Sequence, residues 1–281
     1  MKRTPRRVLY HLGALLVVVL FVLPLYWMLM ASLRQPGQPP PRTIEWLPNP
    51  AVWANYAAIF ELAPLATALV NSVLVVLVAV PLTILTASGA GFAMARLNGR
   101  LQRGTVLLSI VLLMIPAVAL WLPRLVLYRY LGLLDTLAAL ILPALMGSSP
   151  FFVLLFYWTF RRISPELFAA ATLDGAGNLA LWWRIGLPLA RPTMLVVGVL
   201  SAMLYWGDFV SPLLYIRSES RYTLPVGVVV LRQMDITNWP LLMAAATLLS
   251  IPAVVLFLLV QHWFWFAGRF SESADATDVL G

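Results

Sequence analysis

The chain of 281 residues contains no cysteine, two histidines and a single lysine, Lys2, and only 11% of its residues are charged. The absence of cysteine excludes disulfides, thiolate metal sites and cysteine nucleophiles. With Lys2 as the only lysine, a phosphate-binding loop ending in Gly-Lys is excluded, and so is an intramembrane Schiff base. His11 and His262 are far apart and form no His-Glu-x-x-His pair, which excludes a metalloprotease site of that kind.

What the chain has instead is apolar surface. Hydrophobic residues make up 62% of the chain and its mean hydropathy is +0.90, whereas soluble domains carry about 25% charged residues. About 20 apolar residues cross a bilayer core of about 30 Å, and six runs are long enough: 8–31, 66–95, 104–123, 136–160, 192–216 and 241–266. The sequence therefore predicts an all-α polytopic membrane protein with about six transmembrane helices.

The prolines within these runs include Pro24, Pro81, Pro116, Pro143 and Pro252. Neighbouring helices or water can satisfy the carbonyl groups that a proline leaves free. We predict that these five prolines kink the helices without ending them.

The placement of basic residues predicts the orientation. The N-terminus, the loops around 96–103 and 161–191, and the C-terminus hold 12 Lys and Arg residues, and the alternate loops hold 7. Because basic residues favour the cytoplasmic side, both termini are predicted to be cytoplasmic. The first run is too long for a signal peptide core and is interpreted as a retained anchor.

Domain organisation follows from the same pattern. Residues 1–270 are predicted to form a single transmembrane domain, with a proline-rich and extended external loop at 34–64. Residues 271–281 are predicted to be a flexible acidic tail.

The cytoplasmic loop 161–191 is long and has helical signals. Ser164 is a candidate cap, Pro165 suits the first helical position, and Glu166 suits the first turn. Gly175 or Gly177 can end this helix, and a second short helix is predicted over 178–185. A slim, alanine-rich helix of this kind suits docking into the groove of a partner. The alternative is an amphipathic helix that lies on the lipid headgroups.

Residues 169–192 resemble the signature cytoplasmic loop of the permeases of binding-protein-dependent ABC importers, written E-A-A-x-x-D-G-A and, further on, I-x-L-P-x-x-x-P. The matching residues are Ala170, Ala171, Asp174, Gly175, Ala176, Ile185, Gly186, Leu187, Pro188 and Pro192. The family glutamate falls on Ala169, so the charged contact that it commonly makes with the ATPase is missing here or is supplied by Glu166.

Four further matches resemble the carbohydrate branch, the permeases of maltose and multiple-sugar importers. They are Asn71-Ser72, Ala95-Arg96, the segment 131–136 and the segment 222–227. The resemblance implies a bacterial or archaeal plasma (inner) membrane and a permease subunit that is not itself an enzyme. It also implies that this chain forms half of the translocation pathway for a sugar or related polyol.

The resemblance also implies partners and sites. The partners would be a second permease, two ATPase subunits or a homodimeric ATPase that hold ATP and Mg, an extracytoplasmic solute-binding protein and membrane lipid. This chain itself would bind no cofactor, no metal and no nucleic acid. The expected ATPase-docking residues are Glu166, Leu167, Phe168, Ala169, Ala170, Ala171, Asp174, Gly175 and Ala176.

Asp208 is the only formally charged residue inside the six runs. Such a residue costs roughly 2.5–3.5 kcal/mol on insertion scales, and it therefore marks a functional site or needs a partner. Its spacing from Ser201 and Tyr205 predicts one polar face of a continuous helix. The predicted pathway residues are Ser201, Tyr205, Trp206, Asp208 and Phe209.

Three alternatives stay open for this chain. Asp208 could make a purely structural hydrogen bond to a neighbouring helix. It could be the proton site of a proton-coupled secondary carrier. An intramembrane enzyme is the third alternative, although no pair of catalytic groups lies in the six runs.

Overall fold

The computed structural model describes the backbone of residues 5–43 and 45–278 and the side chains of residues 9–43 and 45–261. Every regular element within these residues is helical, which confirms the predicted all-α class. In chain order the helices are α1 Pro5–Ser32, α2 Asn55–Leu62, α3 Leu65–Ala95, α4 Gly99–Met114, α5 Ala117–Tyr130, α6 Leu137–Ile141, α7 Pro150–Arg162, α8 Pro165–Leu173, α9 Asn178–Ala180, α10 Leu187–Leu189, α11 Arg191–Trp206, α12 Val210–Tyr215, α13 Leu224–Met234 and α14 Trp239–Asp278. Short turns of other helical types occupy Leu142–Met146, Leu181–Gly186 and Glu219–Arg221.

Four helical segments in the described part of the chain are long and apolar enough to cross a bilayer. Two bent pairs raise the total to six if each pair is one span, in agreement with the predicted number. The four are Leu9–Ser32, Leu65–Ala95, Leu137–Arg162 and Trp239–Gln261; the pairs are Gly99–Met114 with Ala117–Tyr130, and Asn178–Leu189 with Arg191–Trp206.

The third predicted span is broken at Pro116. α4 ends at Met114, and α5 begins at Ala117 at an angle of 93° to it. Ile115 has ψ 118°, because the ring of a following proline disfavours the helical conformation of the residue before it. The prediction that Pro116 kinks one continuous helix is therefore wrong, since this proline separates two helices.

Three of the other four prolines stay inside a helix, and the fourth lies between two helices. Pro24, Pro81 and Pro252 lie inside α1, α3 and α14, as predicted. Pro143 instead lies in the 3₁₀ turn that separates α6 from α7, so the prediction of a kink is wrong there as well. The hydroxyl of Thr86 donates a 2.6 Å hydrogen bond to the carbonyl of Ala144 in this turn, so a side chain of the neighbouring helix satisfies this backbone group.

The chain divides into two compact units, and the first contains Met1–Leu65 and Gly227–Gly281. Here α1 packs against α14, with the rings of Trp27 and Trp239 6.3 Å apart. The connection between α1 and α3 is ordered: buried Asn55 donates to the carbonyls of Ser32 and Arg34, each at 2.7 Å. The predicted loop of poor regular structure at 34–64 is confirmed for the described residues up to 54, and it is wrong at 55–62, where α2 forms and packs on α14.

The second unit, Ala66–Val226, contains two buried clusters. We call them the phenylalanine cluster and the tyrosine cluster. The phenylalanine cluster includes Phe92, Phe152, Phe156, Phe160, Leu181 and Val197. The tyrosine cluster includes Val75, Tyr128, Leu140, Tyr205, Tyr215 and Ile216.

The helices α3 and α7 cross closely at Gly91. A Cβ atom built on Gly91 would lie 2.7 Å from the Cβ of Phe156, 2.8 Å from the amide nitrogen of Tyr157 and 2.9 Å from the carbonyl oxygen of Val153. Real Cβ atoms do not approach heavy atoms so closely. The absence of a side chain at Gly91 therefore sets the spacing of these two helices.

α14 continues to Asp278, so residues 271–278 of the predicted acidic tail extend its backbone helix. Residues 279–281 lie outside the described residues, as do the side chains from 262 onward. The flexibility of this tail stays a prediction.

Candidate functional site

The loop between α7 and α11 contains α8, a helix of nine residues. Pro165 occupies the first turn, where its missing N–H costs nothing. Ser164 precedes the helix, but its hydroxyl donates to the carboxylate of Glu166 and makes no hydrogen bond to the helix backbone. The expectation of a Ser164 backbone cap is therefore wrong. This hydrogen bond, with one from the Glu166 amide, holds the pKa of Glu166 below its usual value.

α8 ends in a left-handed turn at Gly175, where φ is +86°. The amide of Gly175 donates to the carbonyl of Thr172 at 3.0 Å, and the amide of Ala176 donates to the carbonyl of Ala171 at 2.9 Å. This pair of hydrogen bonds is a Schellman motif, which needs a residue that tolerates positive φ. Of the two predicted terminators, the structure uses Gly175, and Gly177 has an ordinary φ of −75°.

α8 has two different faces. Leu173 is 89% exposed, Leu167 is 44% exposed, and Glu166, Ala169, Ala170, Asp174 and Gly175 are exposed as well. Phe168, Ala171 and Ala176 are half-buried and pack against the phenylalanine cluster. These three predicted docking residues therefore hold α8 on its own bundle, and their contact with an ATPase stays a prediction.

After the Schellman turn the chain forms the second predicted helix. Asn178–Leu189 is continuous in backbone, but Leu181–Gly186 has π-helical hydrogen bonding. The widened turn brings Gly186 against the core, where an added Cβ would lie 3.1 Å from the ring of Phe160. α11 then leaves at 81°, so this segment forms an elbow between α8 and α11.

A cavity of about 520 Å³ opens between α4, α5, α7 and the break that follows α11. Asp208 and Arg124 both line it, together with Tyr205, Ser148 and Trp121. The hydroxyls of Tyr205 and Ser148 lie 2.7 Å apart. The cavity therefore offers a carboxylate, a guanidinium and hydroxyl groups within a mainly apolar wall, the composition expected of a small-molecule site.

Asp208 lies in a break and not on a continuous helix. α11 ends at Trp206, and α12 begins at Val210. The carboxylate of Asp208 accepts a 3.1 Å hydrogen bond from the amide of Ser211, as in a helix cap. The prediction of one helical face through Ser201, Tyr205 and Asp208 is therefore wrong beyond Trp206.

The five predicted pathway residues divide in two. Tyr205, Asp208 and Phe209 line the cavity. Ser201 is fully buried and donates to the carbonyl of Val197 at 2.6 Å, and Trp206 is also buried. Neither lines this cavity, and their place in a translocation pathway stays a prediction.

Sequence reasoning missed Arg124 and Ser148. Arg124 was counted with the residues that follow the third apolar run, although it lies inside the apolar helix α5. An arginine within such a helix is itself a signal of a site. Ser148 has φ 58° in the turn before α7, and no sequence signal indicates that its hydroxyl lies between those of Thr83 and Tyr205.

A second polar cluster ties the loop 217–224 to two distant segments. Asn71 donates to the carbonyls of Ser220 and Tyr222, each at 3.0 Å. Asp135 accepts hydrogen bonds from the amides of Arg217 and Ser218 and from the Ser218 hydroxyl, and it forms an ion pair with the guanidinium of Arg221 at 2.9 Å. The Ser218 hydrogen bonds hold the pKa of Asp135 far below its usual value, with smaller contributions from the Arg217 amide and the Arg221 charge.

These features define a helical membrane transport protein that presents a short amphipathic helix outside its spans. The chain belongs to the family described as the binding-protein-dependent transport system inner membrane component, which matches residues 79–267. It is thus an inner membrane permease subunit of a binding-protein-dependent ABC transporter, as predicted.

Two curated relatives match nearly the whole chain. The sulfoquinovosyl glycerol transport system permease of Agrobacterium fabrum is 30% identical, over 90% of this chain and 89% of the relative. The arabinooligosaccharides transport system permease of Halalkalibacterium halodurans is 31% identical, over 91% of this chain and 92% of the relative. A chain of a bacterial ABC transporter that imports the acidic polysaccharide alginate has the same fold, with a TM-score of 0.74, 21% identity and coverage of 94% and 99%.

Proposed function

We propose that this chain forms half of the translocation pathway of a carbohydrate importer and that α8 couples it to a separate ATPase. The substrate class is a sugar or related polyol. It is supported by the relatives, whose substrates are a glycosyl glycerol and oligosaccharides. It is also supported by the cavity, which combines polar groups for hydroxyls with the Trp121 ring for the apolar face of a sugar.

The observation that carries the coupling role is the pair of faces on α8. Its inner face is fixed to the phenylalanine cluster through Phe168 and Ala171. Its outer face keeps Leu167 and Leu173 exposed although burial of one such side chain is worth about 1.5–3 kcal/mol. A helix that is attached to its bundle on one side and that exposes two leucines among polar residues suits insertion into a groove of a partner.

The assembly follows from this role. Half a pathway requires a second permease. ATP and Mg would be held by the partner ATPase, and an extracytoplasmic binding protein would deliver the substrate. In this arrangement α8 and both termini face the cytoplasm, in accord with the distribution of basic residues.

The alternative of a proton-coupled carrier has no observation of its own. Asp208 accepts the Ser211 amide, and a helix cap explains that contact without proton transfer.

Leu173→Asp tests the docking role. It places a charge on the outer face of α8 without removing a contact to the bundle, since Leu173 is 89% exposed. We expect the variant to insert normally but to lose co-purification of the ATPase and ATP-driven uptake, because a carboxylate in an apolar groove is strongly disfavoured.

Leu179→Asp is the matched control. Leu179 is 73% exposed and lies just beyond the Schellman turn, outside α8. We expect it to keep ATPase binding and uptake. Equal behaviour of the two variants would contradict docking through α8.

A further inference from the structure

Two arginines lie where two membrane-spanning segments end together. Arg96 directly follows Ala95, the last residue of the span Leu65–Ala95, and Arg161 is the penultimate residue of the span Leu137–Arg162. Residues that flank an apolar span lie at the depth of the lipid headgroups. Arg96 and Arg161 therefore lie at headgroup depth on the same side of the bundle as α8.

The two arginines share a cavity of about 340 Å³. Its remaining walls are apolar or weakly polar, and none carries an acidic group. The lining residues are Phe92, Ala95, Arg96, Phe160, Arg161, Ile163, Pro165, Phe168, Ala169 and Thr172. The cavity thus has an aromatic floor and two positive charges.

The guanidinium of Arg96 is held by aromatic rings. Its central carbon lies 5.5 Å from the ring centroid of Phe92 and 5.7 Å from that of Phe168. A guanidinium held over ring faces by cation–π attraction keeps its in-plane N–H groups for an anion. Among the described residues the ion pairs are Arg34–Glu45 and Arg221–Asp135, so no carboxylate neutralises Arg96 or Arg161.

We propose that this cavity binds the headgroup of an anionic phospholipid. The phosphate would lie between Arg96 and Arg161, and the first acyl carbons would cover the rings of Phe92, Phe160 and Phe168. Basic pockets between transmembrane helices are suited to anionic headgroups. The volume is about ten times the share of one water molecule in the liquid, which suits a phosphate with its glycerol while the acyl chains stay in the bilayer.

Other occupants fit the cavity less well. A free phosphate would leave the aromatic floor uncovered, and its binding would not be favoured by the position of the cavity at the depth of the lipid headgroups. A protein partner has the outer face of α8 available, where Leu167 and Leu173 are exposed and do not line the cavity. Because Phe168 belongs to both α8 and the cavity, the bound lipid would join α8 to the ends of α3 and α7. The inference does not depend on the identity of the transported solute.

Native mass spectrometry of the full chain in mild detergent tests the site. The chain is mixed with equal amounts of phosphatidylglycerol and phosphatidylcholine of identical acyl chains, and the retained lipids are counted. We expect one phosphatidylglycerol to be retained in preference to phosphatidylcholine. Each basic residue near a headgroup should contribute about fivefold, so that Arg96→Gln or Arg161→Gln weakens retention about fivefold and the pair about 25-fold.

Arg100→Gln with Arg103→Gln is the matched control. Both residues are exposed, lie at the start of α4 a few residues after Arg96, and do not line the cavity. We expect this pair to retain the lipid. Arg161→Gln separates binding from folding, because Arg161 makes none of the ring contacts described for Arg96.

Three results would overturn the proposal. Equal loss in the two double variants would assign the effect to diffuse charge. Displacement of the lipid by inorganic phosphate at equal concentration would assign the site to a free anion. Displacement of the lipid on binding of the ATPase would assign the cavity to the protein partner.

Discussion

Gly175→Ala should weaken the coupling of α8 through the backbone alone. Gly175 has φ +86°, and a Cβ atom built there meets no heavy atom within 4 Å. The methyl group of alanine therefore finds open space at this turn. What remains is the strain of placing an L-residue in the left-handed region, which costs about 1–2 kcal/mol.

The magnitude follows from the Schellman motif. The strain bears directly on the two hydrogen bonds, of 3.0 and 2.9 Å, that close the turn after α8. A cost of about 1–2 kcal/mol shifts the balance between closed and frayed turns about 5- to 30-fold. Gly175→Asn should cost less, because asparagine tolerates the left-handed conformation. Gly175→Val should cost more, because it is β-branched.

Gly177→Ala is the control. Gly177 also has open space around its Cβ position, but its φ is −75°, which alanine adopts readily. Both variants add one methyl group to the same exposed loop. Only the variant at Gly175 adds backbone strain.

The assay is ATP-driven uptake and ATPase stimulation in proteoliposomes that contain the complete transporter. We expect the order wild type, Gly177→Ala, Gly175→Asn, Gly175→Ala and Gly175→Val, from most to least coupled. Gly175→Ala with the coupling of Gly177→Ala would refute the reasoning, and so would a ranking by side-chain volume in which asparagine is worse than alanine.

Three further predictions concern the rest of the second unit. Gly91→Ala should destabilise the chain by roughly 1–3 kcal/mol, because the new Cβ atom would lie 2.7 Å from the Cβ of Phe156 on α7. Gly89→Ala should not, since the nearest heavy atom to its new Cβ atom, on Trp182, would be 3.8 Å away. Thermal melting in detergent compares the two variants. The depressed pKa of Asp135 means that its ionised form stabilises the fold fully above the ordinary carboxyl pKa of about 3.9 and that this contribution is lost as pH falls through the lower folded value. Asp135→Asn should therefore lower the melting temperature at pH 7 and flatten its acid dependence; an unchanged acid limb would contradict this. Asp208→Asn should keep the hydrogen bond from the Ser211 amide and alter only uptake. Asp208→Ala should remove this hydrogen bond as well and cost about 0.5–2 kcal/mol of stability. Identical uptake kinetics of Asp208→Asn and wild type would assign Asp208 a structural role.

Part of the candidate site could be predicted from local sequence. Pro165, Glu166 and Gly175 are start and stop signals that act within one or two turns, and α8 forms between them as expected. The inward packing of Phe168 could not be predicted, because an alanine-rich helix does not indicate which of its large side chains packs inward. Its partner Phe92 lies far away in the chain, on α3.

The amino-acid sequence alone determined that the chain must be a bundle of apolar helices with a helical loop outside the bilayer. The physical reason is that hydrocarbon cannot hydrogen-bond to the backbone, so long uncharged runs must become helices whatever surrounds them. The tertiary structure alone decided that Pro116 separates two helices, whereas Pro81 stays within one. It also decided that Arg124 and Asp208 share one cavity. Those outcomes depend on contacts between residues distant in sequence, and no local pattern records such contacts.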